Sequence, residues 1–243
     1  MNTLRYAIIG DIHSNLTALE TVKADIHDME IDEILCVGDL VGYAARPREC
    51  LEFVRENAAA VVAGNHDYGV SGALSLEYFN ADAMNAVQWT REVLSEEEIS
   101  YLDSLPLITE YNDILLVHST PRNPEAFAYI QTLYDATIAF NQMENNLALI
   151  GHSHAPIVFQ DSDPPDYFLV NEFELPEGQK VLINVGSVGQ PRDLDPRSSY
   201  AIYDSEERRV TLRRLEYNIE QAARRITEAG LPPNNAQRLY WGQ

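Results

Sequence analysis

Six short, mainly apolar runs recur along the chain, and each is stopped by a glycine or by a polar residue. They cover residues 5–9, 33–37, 59–63, 114–117, 147–150 and 181–183. Continuous apolar runs of this length are typical of strands that are buried on both faces of a sheet. The pattern therefore predicts six buried strands.

The segment between the first two runs has the spacing of an amphipathic helix. Its apolar positions recur every three or four residues, at Leu16, Leu19, Val22 and Ile26. Asn15 precedes them, where a side-chain oxygen can cap the start of a helix. We expect Asp25 and His27 on the opposite, solvated face of this helix.

A second helix is predicted between the next two runs. Pro47 marks its start, and an apolar face follows at Cys50, Leu51 and Val54. The first three strands therefore alternate with two helices. This order predicts parallel strands joined by right-handed crossovers, and hence an α/β fold.

The alternation is interrupted between residues 68 and 106. Met84 and Val87 indicate one helix there, and Ser95 with Glu98 forms a capping-box pattern at the start of another. We interpret this segment as a helical insertion that overlies the edge of the sheet where the polar clusters lie. The whole chain, residues 1–243, is then a single domain.

Beyond Pro156 the chain has the pattern of antiparallel strands separated by turns rich in Asp, Pro and Gly. The predicted strands form a meander at 157–160, 167–170 and 181–183, and a hairpin at 200–203 and 210–215. A last helix is predicted over 219–228, where Gly230 and two prolines end it.

The composition, 243 residues with 45% hydrophobic content, is that of one globular domain. The net charge of −21, from 38 acidic and 17 basic residues, disfavours stable binding to nucleic acid because the two would repel each other. A small phosphorylated substrate is compatible with this charge if bound cations reverse the field locally. Solubility or a salt-adapted surface also explains the charge.

Cys36 and Cys50 lie among apolar residues and resemble small buried side chains rather than a disulfide pair. Neither a cleavable leader nor a stretch of 18 apolar residues is present in the sequence. We therefore expect a cytoplasmic protein without a membrane segment. The sequence leaves its oligomeric state open.

Five polar clusters directly follow predicted strands. They are Gly10-Asp11-Ile12-His13, Gly38-Asp39, Gly64-Asn65-His66-Asp67, Val117-His118 and Gly151-His152-Ser153-His154. Because parallel strands end at the same edge of a sheet, we expect all five clusters along one such edge. Histidine and carboxylate are ligands that Zn²⁺ and transition metals accept readily. The clusters together predict a two-metal hydrolytic site, although a turn or a buried histidine explains any one of them alone.

The spacing within the clusters supports this interpretation. Asp11 and His13 are two residues apart, so both side chains can point to the same side, and the fifth cluster repeats this spacing with two histidines. Asp39 follows the next strand and can reach either of two ions or bridge them. Asn65 offers a neutral oxygen ligand, while His66 beside it is better suited to proton transfer.

In order and residue type, these five clusters resemble the five sequence blocks of the calcineurin-like metallophosphoesterases. The resemblance extends from residue 5 to about residue 192. It implies a four-layer αββα sandwich, in which two mixed β-sheets are flanked by helices. It also implies two divalent metal ions, for which Mn, Fe, Ni, Co and Zn are all acceptable to this ligand set.

The resemblance further implies a role for each residue of the site. One metal would be held by Asp11, His13 and His154, the other by Asn65, His118 and His152, with Asp39 bridging both. His66 resembles the general acid that protonates the leaving oxygen, and Asp67 beside it is the candidate residue that orients His66.

Two departures from the family narrow the function. Serine/threonine protein phosphatases have an arginine after the residue that corresponds to Asp39, whereas this chain continues with Leu40-Val41-Gly42-Tyr43. They also have a glutamate at the position of Asp67. We therefore do not expect protein phosphatase activity. The segment 184–192 resembles a segment of the small bacterial phosphodiesterases. This resemblance implies that Arg192 binds a phosphate oxygen. A strand-ending turn with a surface arginine is the alternative interpretation.

We therefore expect a metal-dependent phosphoesterase that hydrolyses phosphodiesters or nucleotide-like compounds. In such sites a hydroxide that bridges the two metals is the nucleophile. A phosphomonoesterase, a dinucleoside polyphosphate hydrolase and a non-catalytic metal-binding scaffold remain alternatives. Trp89, Trp241 and the thirteen tyrosines are interpreted as packing residues rather than as a stacking platform.

Overall fold

Two six-stranded sheets pack face to face in the computed structural model, which describes residues 4–243. In spatial order, the first sheet contains β3 (Ala58–Val61), β2 (Glu33–Cys36), β1 (Arg5–Ile9), β11 (Ser198–Asp204), β12 (Arg209–Leu215) and β9 (Glu172–Glu174). The second contains β4 (Ile108–Tyr111), β5 (Ile114–Val117), β6 (Leu147–Ile150), β10 (Val181–Asn184), β7 (Ile157–Gln160) and β8 (Asp166–Phe168). Each sheet has three parallel strands, β1 to β3 or β5, β6 and β10, extended by antiparallel ones.

The described residues form eight α-helices, several of which cover the outer faces of the two sheets. They are α1 (Leu16–Asp28), α2 (Pro47–Asn57), α3 (Asn65–Ser71), α4 (Ala81–Val93), α5 (Glu96–Ser104), α6 (Leu133–Phe140), α7 (Ile219–Glu228) and α8 (Pro233–Leu239). Side chains of α1, α2 and α5 share an apolar cluster with the first sheet, and α6 shares one with the second. The four-layer αββα sandwich is therefore confirmed. Within residues 4–243, every helix is too short or too polar to cross a membrane.

The alternation of side chains along β1 explains why its sequence is mainly apolar from Tyr6 to Ile9. Ile8 points into the core between the sheets, where it clusters with Leu35, Leu116 and Leu149. Ile9, the next residue, belongs instead to the cluster beneath the helices. Both faces of the strand are buried, so a period-two pattern of polar residues is absent.

The predicted strands and helices are observed at nearly the predicted bounds, but their arrangement differs in two respects. The prediction of one parallel sheet edge is wrong, because the first three buried strands lie in one sheet and the other three in the second. The predicted meander is also wrong, since β10 pairs with β7 and β6, and β8 lies at the edge beyond β7. Equally apolar strands carry no signal of which sheet they join.

The helices between residues 68 and 106 are observed as α4 and α5. Ser95 and Glu98 form the predicted capping box, with the Ser95 amide 2.7 Å from the Glu98 carboxylate. Three other helices, α3, α6 and α8, were not predicted. Of these, α3 begins at Asn65 and so places the third polar cluster at its first turn.

Asp25 is not solvated as expected, although His27 is exposed. The Asp25 carboxylate accepts hydrogen bonds from Tyr200 Oη at 2.5 Å and from Arg213 Nε and Nη2 at 3.0 and 2.7 Å. Burial alone would raise its pKa, but the hydrogen bonds from Arg213 and Tyr200 outweigh that effect and lower the pKa. This ion pair ties α1 to the antiparallel half of the first sheet.

Candidate metal centre

The five polar clusters meet at one place, where the carboxyl ends of β1, β2 and β3 face those of β5 and β6. Two groups of potential ligands form there, in each of which the ligand atoms lie within 4.8 Å of one another. The first group is Asp11, His13, Asp39 and His154, and the second is Asp39, His118 and His152. All of these side chains are buried. Asp39 belongs to both groups, as the sequence analysis requires of a bridging ligand.

In both Asp11 and Asp39, one carboxylate oxygen accepts a backbone hydrogen bond and the other lies near histidine side chains. Asp11 Oδ2 accepts a hydrogen bond from the His152 amide at 2.9 Å, while Oδ1 lies 3.2 Å from His154 Nε2. Asp39 Oδ1 accepts from the His66 amide at 2.8 Å, while Oδ2 lies 3.5 Å from His13 Nε2 and 3.3 Å from His118 Nε2. One oxygen of each carboxylate is therefore fixed by backbone, and the other faces the imidazoles.

Three imidazoles are oriented by backbone carbonyl groups. The Nδ1 atoms of His13, His118 and His154 lie 3.0, 2.7 and 2.6 Å from the carbonyl oxygens of Val41, Val37 and Gln190, respectively. A carbonyl oxygen can only accept, so a proton resides on each Nδ1, and Nε2 of a neutral ring carries a lone pair. This arrangement, in which Nδ1 is held and Nε2 points inward, is common among metal-binding histidines.

Several buried donor and acceptor atoms at this place make no hydrogen bond with any residue in the range 4–243. They are Asp11 Oδ1, Asn65 Oδ1, His118 Nε2 and His152 Nε2. Buried polar atoms almost always have a partner, so a convergent set without one requires an explanation. Oxygen and imidazole nitrogen are suitable donors for a divalent transition metal, and the residues therefore fit such an ion.

Electrostatics keep most of these groups in the form that binds metal. Burial lowers the pKa of His13 and His154, and it lowers that of His152 to about 3. Burial alone would raise the pKa of Asp39, but the neighbouring imidazoles, His118 first, lower it well below its usual range. His118 is different: burial would lower its pKa, but the Asp39 charge outweighs this and raises it to about 9. Metal binding would therefore release a proton from His118.

The loops that carry the ligands have an unusual backbone conformation. Positive φ angles occur at Asp11 (48°), His13 (49°), Asp39 (53°), His152 (67°) and His154 (58°). This left-handed region is sparsely populated by residues other than glycine, and such residues concentrate at functional sites. The glycines of the clusters serve a different purpose, since a Cβ at Gly64 or Gly151 would collide with the carboxylate of Asp39 or Asp11.

His66 lies beside the two groups of ligands and belongs to neither. Its ring packs against those of Tyr43, His13 and Phe79, with centroid distances of 4.5, 4.7 and 5.1 Å. Burial lowers its pKa to about 4. Its Nδ1 makes no hydrogen bond with the described part of the chain. The ring is thus held by packing.

Asp67 does not orient His66 directly, so that prediction is corrected. Its Oδ1 accepts hydrogen bonds from the amides of Leu40 and Val41 at 2.9 and 3.3 Å, and its Oδ2 accepts from the Gly64 amide at 2.9 Å. Burial and the nearby Asp39 charge raise its pKa to about 7. Asp67 ties the loop after β2 to the loop after β3, and in this way positions Asp39.

A small cleft leads to the ligands. Its volume is about 80 Å³, and it is lined by Asp39, Tyr43, Asn65, His66, Tyr78, Phe79, Asn80, Ala83, Tyr129, His152, His154 and Arg192. Arg192 therefore lies at the site, as predicted, with its guanidinium 5.5 Å from the centre of the Tyr43 ring and 2.9 Å from Gln190 Oε1. We refer to this space as the cleft.

Four aromatic residues of the cleft, Tyr43, Tyr78, Phe79 and Tyr129, and the nearby Arg238 are absent from the site residues predicted from the sequence. The ring of Tyr129 stacks on that of His152, with a centroid distance of 4.1 Å and an angle of 16°. Tyr43 lies between the ligands and two guanidinium groups, the second of which, that of Arg238, is 5.9 Å from its ring centre. Arg238 and Tyr78 lie outside the five clusters, so local pattern gave no signal for them.

Comparison with known proteins agrees with this geometry. A family model for the calcineurin-like phosphoesterase superfamily domain matches residues 4–208. An uncharacterized protein of Methanocaldococcus jannaschii is 42% identical over 242 residues, which cover 98% of each chain. The crystal structure of a metallophosphoesterase from Sphaerobacter thermophilus is 39% identical, with a TM-score of 0.90 and complete coverage of both chains.

A symmetrical bis(5′-nucleosyl)-tetraphosphatase of Vibrio parahaemolyticus is similar over a shorter region. It is 28% identical over 118 residues, which cover 46% of this chain and 43% of that protein. The superfamily domain, by contrast, extends over most of the sandwich and includes every predicted ligand. This protein therefore belongs to the calcineurin-like phosphoesterase superfamily.

Proposed function

We propose that the protein is a divalent-metal-dependent hydrolase of small phosphodiesters or nucleotide-like phosphate esters. The observation that carries the proposal is the convergence of four unpartnered buried atoms, on Asp11, Asn65, His118 and His152, around Asp39. Leaving such atoms without partners costs free energy in a protein that binds no cation. Membership of a phosphoesterase superfamily supports hydrolysis as the reaction.

We propose the ligand assignment that the family resemblance implies. Asp11, His13 and His154 would hold one ion, His118 and His152 the other, and Asp39 both, which agrees with the two groups of atoms. Asn65, whose Oδ1 is buried without a partner among residues 4–243, would complete the second set. When bound, such a pair of ions supplies an activated water and neutralises charge on the phosphoryl oxygens. The carbonyl groups that hold each Nδ1 keep the imidazoles oriented before the ions arrive.

The remaining residues of the cleft bind the substrate and handle a proton. Arg192 presents a guanidinium that can donate two hydrogen bonds to phosphoryl oxygens. His66 lines the cleft and is not one of the proposed ligands. Its Nδ1 or Nε2 would carry the proton that is transferred to the leaving oxygen. The packing of Tyr43 and Phe79 around its ring holds the imidazole in place.

Hydrolysis of dinucleoside polyphosphates is the second candidate. The similarity of 118 residues to a symmetrical bis(5′-nucleosyl)-tetraphosphatase favours it. Phosphomonoester hydrolysis uses the same residues and differs only in what occupies the cleft. A non-catalytic scaffold is less well supported, because His66 and all seven proposed ligands are present.

The setting of the reaction is part of the proposal. Two free, buried cysteines are in keeping with a reducing cytoplasm. The net charge of −21 opposes stable contact with nucleic acid, so we propose a small molecule as substrate.

The proposal is tested with purified protein that is stripped by chelation and then loaded separately with Mn, Fe, Ni, Co or Zn. Each form is assayed on phosphomonoesters, phosphodiesters and dinucleoside tetraphosphates. We expect no turnover without metal and a preference for diesters or nucleotides with metal. Full activity in the stripped protein, or no activity on any phosphate ester after loading, would contradict the proposal.

A further inference from the structure

The size of the cleft limits how much of a substrate it can enclose. Its volume of about 80 Å³ is well below the roughly 300–1,000 Å³ of pockets that enclose whole small-molecule ligands. Four of the proposed ligands, Asp39, Asn65, His152 and His154, line this space together with Arg192, so we expect it to receive the reacting phosphoryl group. The organic part of the substrate must then lie at the rim, and the residues there select it.

Two tyrosines of the rim are exposed to solvent at the entrance of the cleft. Tyr78 is 80% exposed and Tyr129 is 48% exposed, and both line the cleft. Large aromatic side chains bury much of their surface in most proteins, so exposed ones at a functional site indicate a binding surface. Neither tyrosine serves the apolar core.

The Tyr129 ring is fixed in place although it is exposed. It stacks almost parallel on His152, at 4.1 Å between ring centres. His152 is in turn one of the buried residues of the metal centre. One face of the Tyr129 ring is therefore covered by a rigid neighbour, which leaves the other available to a ligand.

Tyr78 is held by its neighbours in the chain. The next residue, Phe79, packs against the ring of His66 at 5.1 Å and lies so close to Gly69 that a Cβ there would be 2.7 Å from Phe79 Cζ. Asn80 then caps α4 through a hydrogen bond from the Ala83 amide at 3.0 Å. The short helical turn Leu76–Tyr78 is thus anchored on one side, and Tyr78 is the aromatic residue that it exposes.

We propose that Tyr78 and Tyr129 form a stacking surface for a planar aromatic ring, such as a nucleobase, on the organic group of the phosphate ester. The inference rests on the proposed function and specifies its substrate class. Stacking of a base on an aromatic side chain tolerates any base, because every base has a π-face. The surface therefore selects aromatic esters over aliphatic ones without selecting one base.

The test compares two substrates that share the same leaving oxygen and differ only in the base. Adenosine 5′-phosphate and ribose 5-phosphate form one such pair, and their methyl diesters form another. The variants are Tyr129→Ala, Tyr78→Ala and Tyr129→Phe, and Tyr134→Ala serves as the control, since Tyr134 is 74% exposed on α6 and does not line the cleft.

We expect both alanine variants to lower kcat/KM for the adenosine substrates by roughly 5- to 100-fold, mainly through KM, because stacking on one aromatic side chain accounts for a change of that size. Their kcat/KM for the ribose substrates should change by less than about twofold. Tyr129→Phe keeps the ring and should retain the preference for adenosine, as should Tyr134→Ala. Tyr129 contacts His152, a proposed ligand, so Tyr129→Ala can affect metal binding as well as stacking. If that variant loses metal, Tyr78→Ala is the decisive variant.

Binding of two phosphonates that cannot be hydrolysed gives a readout independent of turnover. Calorimetry with phenylphosphonate and methylphosphonate should show a tighter Kd for the phenyl compound, and this advantage should disappear in Tyr78→Ala. If wild-type protein hydrolyses both members of each pair equally, and the tyrosine variants leave that ratio unchanged, the stacking surface is refuted while the phosphoesterase remains. If no phosphate ester is hydrolysed at all, the proposed function fails. The stacking surface is then tested by binding alone, and it is refuted if the tyrosine variants still prefer phenylphosphonate to methylphosphonate as strongly as the wild type does.

Discussion

The Nε2 atoms of His13 and His154 face each other at a distance of 3.1 Å, in rings whose Nδ1 atoms are both held by backbone carbonyl groups. With the protons on Nδ1, two lone pairs point at the same small space. Lone pairs at this distance repel each other unless a proton or a metal ion lies between them. Burial lowers the pKa of both rings, which disfavours the proton. This leaves a metal ion as the partner that the geometry favours.

Metal removal should therefore affect stability as well as activity. We expect close to two divalent ions per chain by elemental analysis, and a lower Tm after chelation. An ion present at about 100 times its Kd stabilises the folded state by roughly 2.7 kcal/mol per site. Thermal unfolding with and without a chelator measures this. A stripped protein with the same Tm and full activity would contradict the metal centre.

Asp39→Asn tests the residue that both groups of ligands share. An asparagine oxygen can still accept the hydrogen bond from the His66 amide, so the loop is retained while the negative charge is lost. We expect the variant to lose both ions and to lose more activity than the roughly 10- to 100-fold typical of changes outside the ligand set.

The control for this variant is Asp28→Asn, on the exposed end of α1. It should keep both ions and full activity. Asp25→Asn, which sequence alone would recommend as a control, is unsuitable because Asp25 forms an ion pair with Arg213. Equal metal content in the Asp39 and Asp28 variants would exclude Asp39 as a bridging ligand.

His66→Gln separates proton transfer from metal binding. Since His66 lies in neither group of ligands, the variant should keep its metal. Its rate should fall by about 10²–10⁴-fold on an alkyl ester, whose leaving oxygen needs a proton. On a nitrophenyl ester the loss should be much smaller, because nitrophenolate leaves unprotonated. An equal loss on both esters, or a loss of metal, would remove His66 from the role of general acid.

Asp25→Asn should destabilise the fold in a pH-dependent way. Two hydrogen bonds from Arg213 and one from Tyr200 are weakened, which should lower the free energy of unfolding by roughly 1–3 kcal/mol at neutral pH. The pKa of Asp25 is lowered in the folded state, so its carboxylate stabilises the fold above the usual aspartate pKa of about 3.9.

As the pH falls through the lowered pKa, that contribution is lost, and the difference between wild type and variant should shrink. Urea unfolding at pH 7, pH 5 and pH 3 measures the difference, with Asp28→Asn as the matched control. A difference that stays constant across this range would show that the charge of Asp25 does not contribute.

The sequence predicts the strands and helices better than their arrangement. Apolar runs predict the strand bounds closely, and the polar residues directly after them predict which side chains converge at the candidate metal centre, because both signals are local. The assignment of strands to two sheets depends on how buried faces pair, and Ile8 and Leu116 are equally apolar in sequence. The partners of Asp25 lie 175 and 188 residues away, which no local pattern encodes.

The residues that line the cleft could also be predicted only in part from the sequence. His66 and Arg192 were predicted because they lie in recognisable segments, and both line it. The sequence indicates packing residues at Tyr78 and Tyr129, because an exposed and a buried tyrosine cannot be distinguished without the fold. Asp67 was assigned to its neighbour in sequence, but the first turn of α3 directs its carboxylate to the backbone of another loop.

The left-handed backbone at Asp11, His13, Asp39, His152 and His154 restricts how this centre can change during evolution. Each position must supply a donor atom and also tolerate a positive φ, a region in which Asn, Asp and His are enriched. Glutamate or cysteine would keep a metal-binding atom but would fit the backbone less well. Under the proposed ligand assignment, few single substitutions would change the metal preference, and we expect divergence to be concentrated in the rim of the cleft rather than at its base.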